Sequence, residues 1–184
     1  MGLDMFLTKK HYIWDKDKSH MKIVVDENAT DRAKKLSSLD MSKVSYIYEE
    51  VAYWRKANQI HKWFIDHCAD GDGDRTVMTV MVDELEHLLK DVNTVLDSIK
   101  LVEGDVYMGS KWTKETGEVK EYKKGKIIAD TSVAEELLPT ESGFFFGATD
   151  YDEYYIEQLE NTRDVLIEIL KDEDADEFEY VASW

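Results

Sequence analysis

Trp54, Asn58 and His61 have the residue types and the spacing of a small binding site. Steps of four and three residues place them on one face of a helix. An amide and an imidazole beside an indole can floor a ligand pocket. Imidazole also titrates near neutrality, so it can move protons. Tyr154 or Tyr155 would complete such a pocket with a hydroxyl. The competing reading is structural, with Asn58 and His61 hydrogen-bonded beneath neighbouring loops, because buried polar groups need partners. No motif sets a serine or cysteine nucleophile beside His61, so a catalytic triad gains no support.

Metal and phosphate chemistry have weaker signals. His61, His67 and Cys68 are close in sequence, but roughly 600° of helical rotation separates the two histidines. Asp70, Asp72 and Asp74 are spaced like the start of a calcium-binding EF-hand loop. Its sixth position is Arg75 instead of glycine and its twelfth is Met81 instead of glutamate, so the sharp turn and the bidentate ligand are both missing. No glycine-rich phosphate loop occurs. No metal or cofactor is expected, and the absence of catalytic signatures argues against an enzyme.

The strongest pattern is acidic. Glu153, Glu157, Glu160, Asp164, Glu168 and Asp172 follow one another at steps of four, three, four, four and four. On a helix this lines six carboxylates along one face, neighbours roughly 5–6 Å apart. Like charges so placed cost about 0.2–0.5 kcal/mol per pair. One reading is a phosphate-like rail for a partner with a basic groove, where charge complementarity speeds association. The other is a solvated face that serves solubility. Asp174, Asp176, Glu177 and Glu179 extend the same field, or form a charged linker.

Charge along the chain sharpens this. The 184 residues carry 23 bases and 40 acids, a net charge of −17. Residues 129–184 hold 17 acids and two bases, whereas 1–128 hold 23 acids and 21 bases. So acidic a chain is a poor candidate for direct nucleic-acid binding, which depends on clustered Lys and Arg. The local exception is 111–126, with six lysines against three glutamates, interleaved with or flanked by Tyr107, Trp112 and Tyr122. Those aromatics and lysines suit stacking on single-stranded nucleic acid. They equally suit an exposed hairpin protected from edge pairing by lysine, or contact with an acidic patch on a partner or in the C-terminal third.

These residues need elements to position them. Hydrophobic residues make up 43% of the chain, enough for a packed core. Residues 3–13 and 21–26 read as strands, with 15–19 as a turn. A short helix is expected at 30–37 and a strand from 43. A helix is expected from Val51 or Trp54 to His67, carried by Tyr53, Ala57, Ile60 and Phe64. The aspartate–glycine run 70–74 forms a loop. The next helix spans about 80–101, capped by Thr79, with Val82, Leu85, Leu88 or Leu89, Val92 and Leu96 inward. Residues 105–112 and 118–123 form a hairpin about Thr116 and Gly117, and 126–128 another short strand. A helical turn at 132–138 stops at Pro139. Residues 143–147 read as a strand buried on both faces. The last long helix starts near Thr149 or Asp150, each with an acid three residues on, and runs to about Lys171 with Tyr155, Leu159, Leu166 and Leu170 inward. Residues 178–184 close the fold as a strand. This is an α+β pattern in one domain, antiparallel strands with two or three longer helices and an inserted hairpin at 103–127.

The start has early Asp4 and no basic-then-apolar run, unlike a signal peptide. Phe6 stands where a myristoylation motif needs Ser or Thr. No apolar run reaches the ~20 residues that span a bilayer, and the single cysteine, Cys68, permits no internal disulfide. A soluble cytoplasmic protein is expected.

Three motifs, MGLDMFL (1–7), YWRKANQIHKWF (53–64) and LPTESGFFFG (138–147), with the tyrosine-rich 151–155 beyond the last, resemble a family of small uncharacterised proteins of bacteriophages and bacterial mobile elements. The likeness covers most of the chain except about 103–127. It implies an accessory role in the cytoplasm of a host bacterium and supplies no catalytic residues. The combined expectation is a non-enzymatic phage-encoded inhibitor. It would bind a host defence or nucleic-acid-processing protein with a basic surface, for example a CRISPR effector, through Glu153, Glu157, Glu160, Asp164, Glu168 and Asp172 as a nucleic-acid mimic. The alternative is a small-ligand-binding protein or minor enzyme with a pocket at Trp54, Asn58, His61 and Tyr154. A structural phage component with an apolar self-association surface is a third reading.

Overall fold

Alternation at period two builds the sheet. Met5 and Leu7 are buried between half-buried neighbours, and so are Phe178 and Tyr180, with Ala182 buried next before the exposed Ser183. The computed structural model describes residues 2–14, 21–69, 77–115, 117–143, 145–172 and 177–184. In chain order the elements are β1 (Asp4–Tyr12), α1 (Asp31–Lys34), β2 (Tyr46–Arg55), α2 (Asn58–Cys68), β3 (Val77–Met81), α3 (Val82–Ser98), β4 (Leu101–Thr113), β5 (Gly117–Ile128), α4 (Ser132–Leu137), α5 (Glu153–Ile169) and β6 (Glu177–Ser183). Helices accompany two sheets built from antiparallel pairs, so the fold is α+β. The residues form two compact units, 1–9 with 50–184, and 10–49.

In the larger unit, the strand order is β2-β1-β6-β3. The last strand is therefore internal, antiparallel to both β1 and β3. Register sets Leu7 and Met78 either side of Tyr180, and Lys9 and Val80 either side of Phe178. One core joins this face to α2, α3 and α5, through Ile60, Phe64, Leu85, Leu88, Val92, Leu159 and Leu166. Lys9 is buried at the sheet and ion-pairs with Asp172.

Strands β4 and β5 form a separate two-stranded sheet, paired from Leu101↔Ile128 to Thr113↔Gly117 with an irregularity between Tyr107 and Gly109. The hairpin is longer than 105–123, and 126–128 is the end of β5. Gly104 and Gly125 face each other across it. A Cβ on Gly104 would meet Ile127 at 2.4 Å, and one on Gly125 would meet Val106 at 2.7 Å. Absent side chains there let Ile127 and Val106 fold across the ladder.

In the smaller unit, Thr30 caps α1 by accepting from the Ala33 N–H at 3.3 Å. Two 3-10 turns follow, Lys35–Ser38 and Met41–Lys43. The rings of Trp14, Tyr12, Tyr46 and Tyr48 succeed one another at centroid distances of 5.3–6.2 Å. Residues 21–26, expected as a strand, are irregular; Val24 is 79% exposed. A β-branched run without a strand partner leaves its backbone to water. The 15–19 turn lies outside the described residues.

Four further expectations are corrected. The strand β2 continues to Arg55, and α2 starts only at Asn58, after Lys56 turns the chain with φ +58°. Trp54 is thus on a strand, not on a helix face with Asn58 and His61. Thr79 lies within β3, because Val77 to Met81 pairs with β6; α3 begins at Val82, where the Glu84 carboxylate accepts from the Met81 N–H at 2.7 Å. The described part of 143–147 is a turn, with Phe145 at φ +69° and the Phe146 N–H donating to the Gly143 carbonyl; Phe144 is outside the described residues. The last helix is capped by Asp152, not Thr149 or Asp150: its Oδ1 accepts from the N–H groups of Tyr154 and Tyr155 at 2.9 and 3.3 Å. The 70–74 loop and the Thr116 side of the hairpin turn lie outside the described residues.

Tyr180 is fully buried, stacked on Phe64 at 4.1 Å and hydrogen-bonded to His61 at 2.8 Å. Tyr180→Ala should therefore cost about 3–5 kcal/mol in urea unfolding, and Tyr180→Phe only about 1–2 kcal/mol. Equal losses would show that the hydroxyl, not the ring, carries the contact.

Candidate functional site

The acidic face comes from the amphipathic pattern of α5. Tyr155, Leu159, Thr162, Leu166 and Ile169 are its buried residues. At about 100° per residue, Glu153, Glu157, Glu160, Asp164 and Glu168 fall on the opposite side, and all are exposed. Asp172 lies just beyond the helix. Four of the six are offset locally. Glu153 meets Lys123 of β5 at 3.6 Å, Asp164 meets Arg163 at 3.0 Å, Glu168 meets Lys171 at 2.5 Å, and Asp172 pairs with Lys9. Glu157 and Glu160 form no ion pair among the described residues. The unrelieved charge is at mid-helix.

The basic hairpin is partly neutralised as well. Lys111 pairs with Glu121 at 2.6 Å and Lys124 with Asp105 at 2.7 Å. Lys123 lies 5.9 Å from the Tyr154 ring centre besides meeting Glu153. The hairpin thus touches the start of the acidic helix in its own chain. Trp112 and Tyr122 remain exposed.

Two clefts flank α5. A groove of about 350 Å³ is lined by Tyr53, Trp54, Arg55, Tyr154, Glu157 and Asn161 among others. A larger cleft of about 1170 Å³ runs between the Tyr107–Ser110 bend of the hairpin, the 140–150 segment and the start of α5, and includes Asp152, Tyr154 and Gln158. Trp54 and Tyr154 line the groove; Asn58 and His61 are not among the lining residues of either cleft.

Asn58 and His61 instead hold the core. The Asn58 amide donates to the carbonyls of Phe146 (3.3 Å) and Ala148 (2.8 Å) and accepts from the Glu141 N–H at 2.9 Å. This satisfies a backbone that has no strand partner. Trp54 donates to Thr162 at 3.0 Å, tying β2 to α5. His61 is 3% exposed, ringed by Phe146, Tyr180 and Trp184. Burial pushes its imidazole down from 6.5 to about 4. The same burial disfavours the imidazolium and encloses the ring away from both clefts.

Asp152 is buried and lines the larger cleft. Its Oδ1 caps α5, while its Oδ2 has no hydrogen-bond partner among the described residues. Burial holds its carboxyl above the usual carboxylate range, against the two capping N–H groups that pull it down.

One grouping is absent from the sequence expectations. His67, at the end of α2, and His87 and Asp91, one turn apart on α3, bring donor atoms within 4.8 Å of one another. They are the described residues whose donors converge closely enough to hold a metal ion. The i, i+4 pair on α3 is a sequence signal; its meeting with His67 is tertiary.

Comparison with protein-family models, curated proteins and solved structures gives no match. No helix among the described residues is long and apolar enough to cross a membrane.

A titration follows from His61. The unfolded chain takes up a proton near 6.5 that the folded chain takes up only near 4. Stability should fall as pH drops through that window, by up to about 1.4 kcal/mol per pH unit from this group. Urea unfolding at intervals between those pH values should show a shallower decline in His61→Gln than in the parent. Parallel profiles would mean that His61 accepts a proton in place.

Proposed function

We propose that this chain is a non-enzymatic binding protein that docks the acidic face of α5 into a basic groove of a partner. The observation that carries the reading is the exposed carboxylate line set opposite the buried stripe of α5. The core does not use those side chains, and like charges at this spacing oppose the helix. Local cations meet Glu153, Asp164, Glu168 and Asp172, so the unrelieved repulsion is at Glu157 and Glu160, where a basic partner would offset it.

The groove beside Glu157 adds chemical detail. Tyr53 and Tyr154 are each 45% exposed at its rim. Two phenol rings and a carboxylate suit a guanidinium, which stacks on aromatic faces while pairing with the acid. Arg55, which also lines the groove, is 3.9 Å from Asp4. An arginine-rich groove built for nucleic acid matches both the line and the pocket. With the resemblance to phage proteins, this favours inhibition of a host defence or nucleic-acid-processing protein, such as a CRISPR effector, by competition with its nucleic acid.

Binding of this kind weakens with salt, because exposed charges are screened over about 8–10 Å. A pull-down from host lysate at low and high salt should capture a basic nucleic-acid-handling protein that duplex DNA displaces. Replacing Glu157, Glu160, Asp164 and Glu168 together by their amides should abolish capture. Because Asp164 and Glu168 already have local cations, Glu157→Gln with Glu160→Gln should account for most of the loss. Undiminished, salt-insensitive capture by the folded quadruple variant would end the mimicry reading.

A further inference from the structure

We propose that His67, His87 and Asp91 form a binding site for a divalent first-row transition metal ion of the zinc type. The proposal is independent of the acidic face. Three observations converge on it.

The first is spacing. His87 Nε2 and Asp91 Oδ2 are 3.4 Å apart. Two ligands bound to zinc at about 2.0–2.1 Å with a tetrahedral angle stand about 3.4 Å apart. The third donor lies within 4.8 Å of both. His67 and His87 are exposed, so their imidazoles have room to rotate toward the tetrahedral spacing.

The second is the orientation of His67. Its Nδ1 is hydrogen-bonded to the Trp63 carbonyl at 2.8 Å. A carbonyl only accepts, so Nδ1 carries the hydrogen, and in the neutral ring Nε2 keeps the lone pair. A backbone carbonyl on the second ring nitrogen is the usual support of a metal-bound histidine.

The third is a shared support. Trp63 is 2% exposed. Its carbonyl holds His67, its ring stacks on His67 at 4.2 Å and 14°, and its Nε1 donates to Asp91 Oδ2 at 3.0 Å. Its edge also meets His87 at 5.5 Å. One buried side chain on α2 therefore touches all three donors across to α3. An ordinary i, i+4 ion pair accounts for His87 with Asp91, but not for a third donor held against them.

Two imidazoles and one carboxylate suit zinc, cobalt or nickel better than calcium or magnesium, which take oxygen ligands. Three protein donors leave a fourth position for water or an anion.

The test uses the full chain, stripped with a chelator. Titration calorimetry with Zn²⁺ should show one saturable site per chain. Co²⁺ should give the visible absorption of a low-coordinate ion, lost on adding Zn²⁺ and unaffected by millimolar Mg²⁺. His67→Gln and His87→Gln, both at exposed positions, should each weaken Zn²⁺ binding at least about tenfold with unchanged circular dichroism. No saturable site in the parent chain would overturn the proposal. So would Zn²⁺ affinity that survives the double His67→Gln/His87→Gln variant, since the ions would then belong to the carboxylates alone.

Discussion

The contact between α2 and β6 holds the rest of the larger unit in place. Tyr180 stacks on Phe64 and is hydrogen-bonded to His61, so ring packing and a buried polar bond act on the same side chain. That contact fixes β6 inside the sheet, where it completes the ladders of both β1 and β3. Phe178, Tyr180 and Ala182 of this strand are part of the core. The contact also sets the direction of α2, whose start then reaches the 141–148 segment through Asn58 and whose end carries His67 toward α3.

Polar groups in this core are bonded almost throughout. Asn58 holds three backbone groups, Trp54 reaches Thr162, and Trp63 reaches Asp91. Each of these bonds joins separate elements, so losing one partner leaves the other buried and unsatisfied, at about 1–3 kcal/mol. The exception is Asp152 Oδ2. The cap of α5 places this carboxylate where burial penalises its charge and two N–H groups reward only one of its oxygens. The acidic face of α5, by contrast, meets a buried group only where Asp172, just past the helix, pairs with Lys9.

Strong local periodicity made some elements readable in the sequence. The alternation of Met5 and Leu7 and of Phe178, Tyr180 and Ala182 gave β1 and β6, and the stripes of α3 and α5 gave their inward residues. The misreadings come from junctions. Tyr53, Ala57, Ile60 and Phe64 keep a helical spacing across a boundary where Tyr53 belongs to a strand, because Lys56 in the left-handed region reverses the chain without breaking the count. Val80 and Met81 read as the start of a helix capped by Thr79 because the five residues from Val77 are too few to show a period, and only pairing with β6 makes them a strand. For 143–147, apolar composition suggested a strand, but Asn58 supplies the backbone partners a sheet would have given. The acidic line needed only helical spacing. The convergence of His67 with His87 and Asp91 needed the packing of α2 on α3, which no local pattern carries.

The same helix α2 bears on how the acidic face is presented. Gln59 donates to Gln158 at 2.9 Å, and Gln158 donates to the Lys56 carbonyl at 3.4 Å. Together with Trp54 and Thr162, these bonds hold α5 by the flank that adjoins Glu157 and Glu160. The two carboxylates without local cations thus lie on the stretch of helix that Gln158 and Thr162 tie to α2, Lys56 and β2. A charged surface on a mobile helix would lose much of its attraction to the entropy of ordering on contact, whereas one on a helix already held loses little. The polar clamp between α2 and α5 therefore does for the acidic face what Trp63 does for the histidines. Each ties side chains of one element to another through hydrogen bonds.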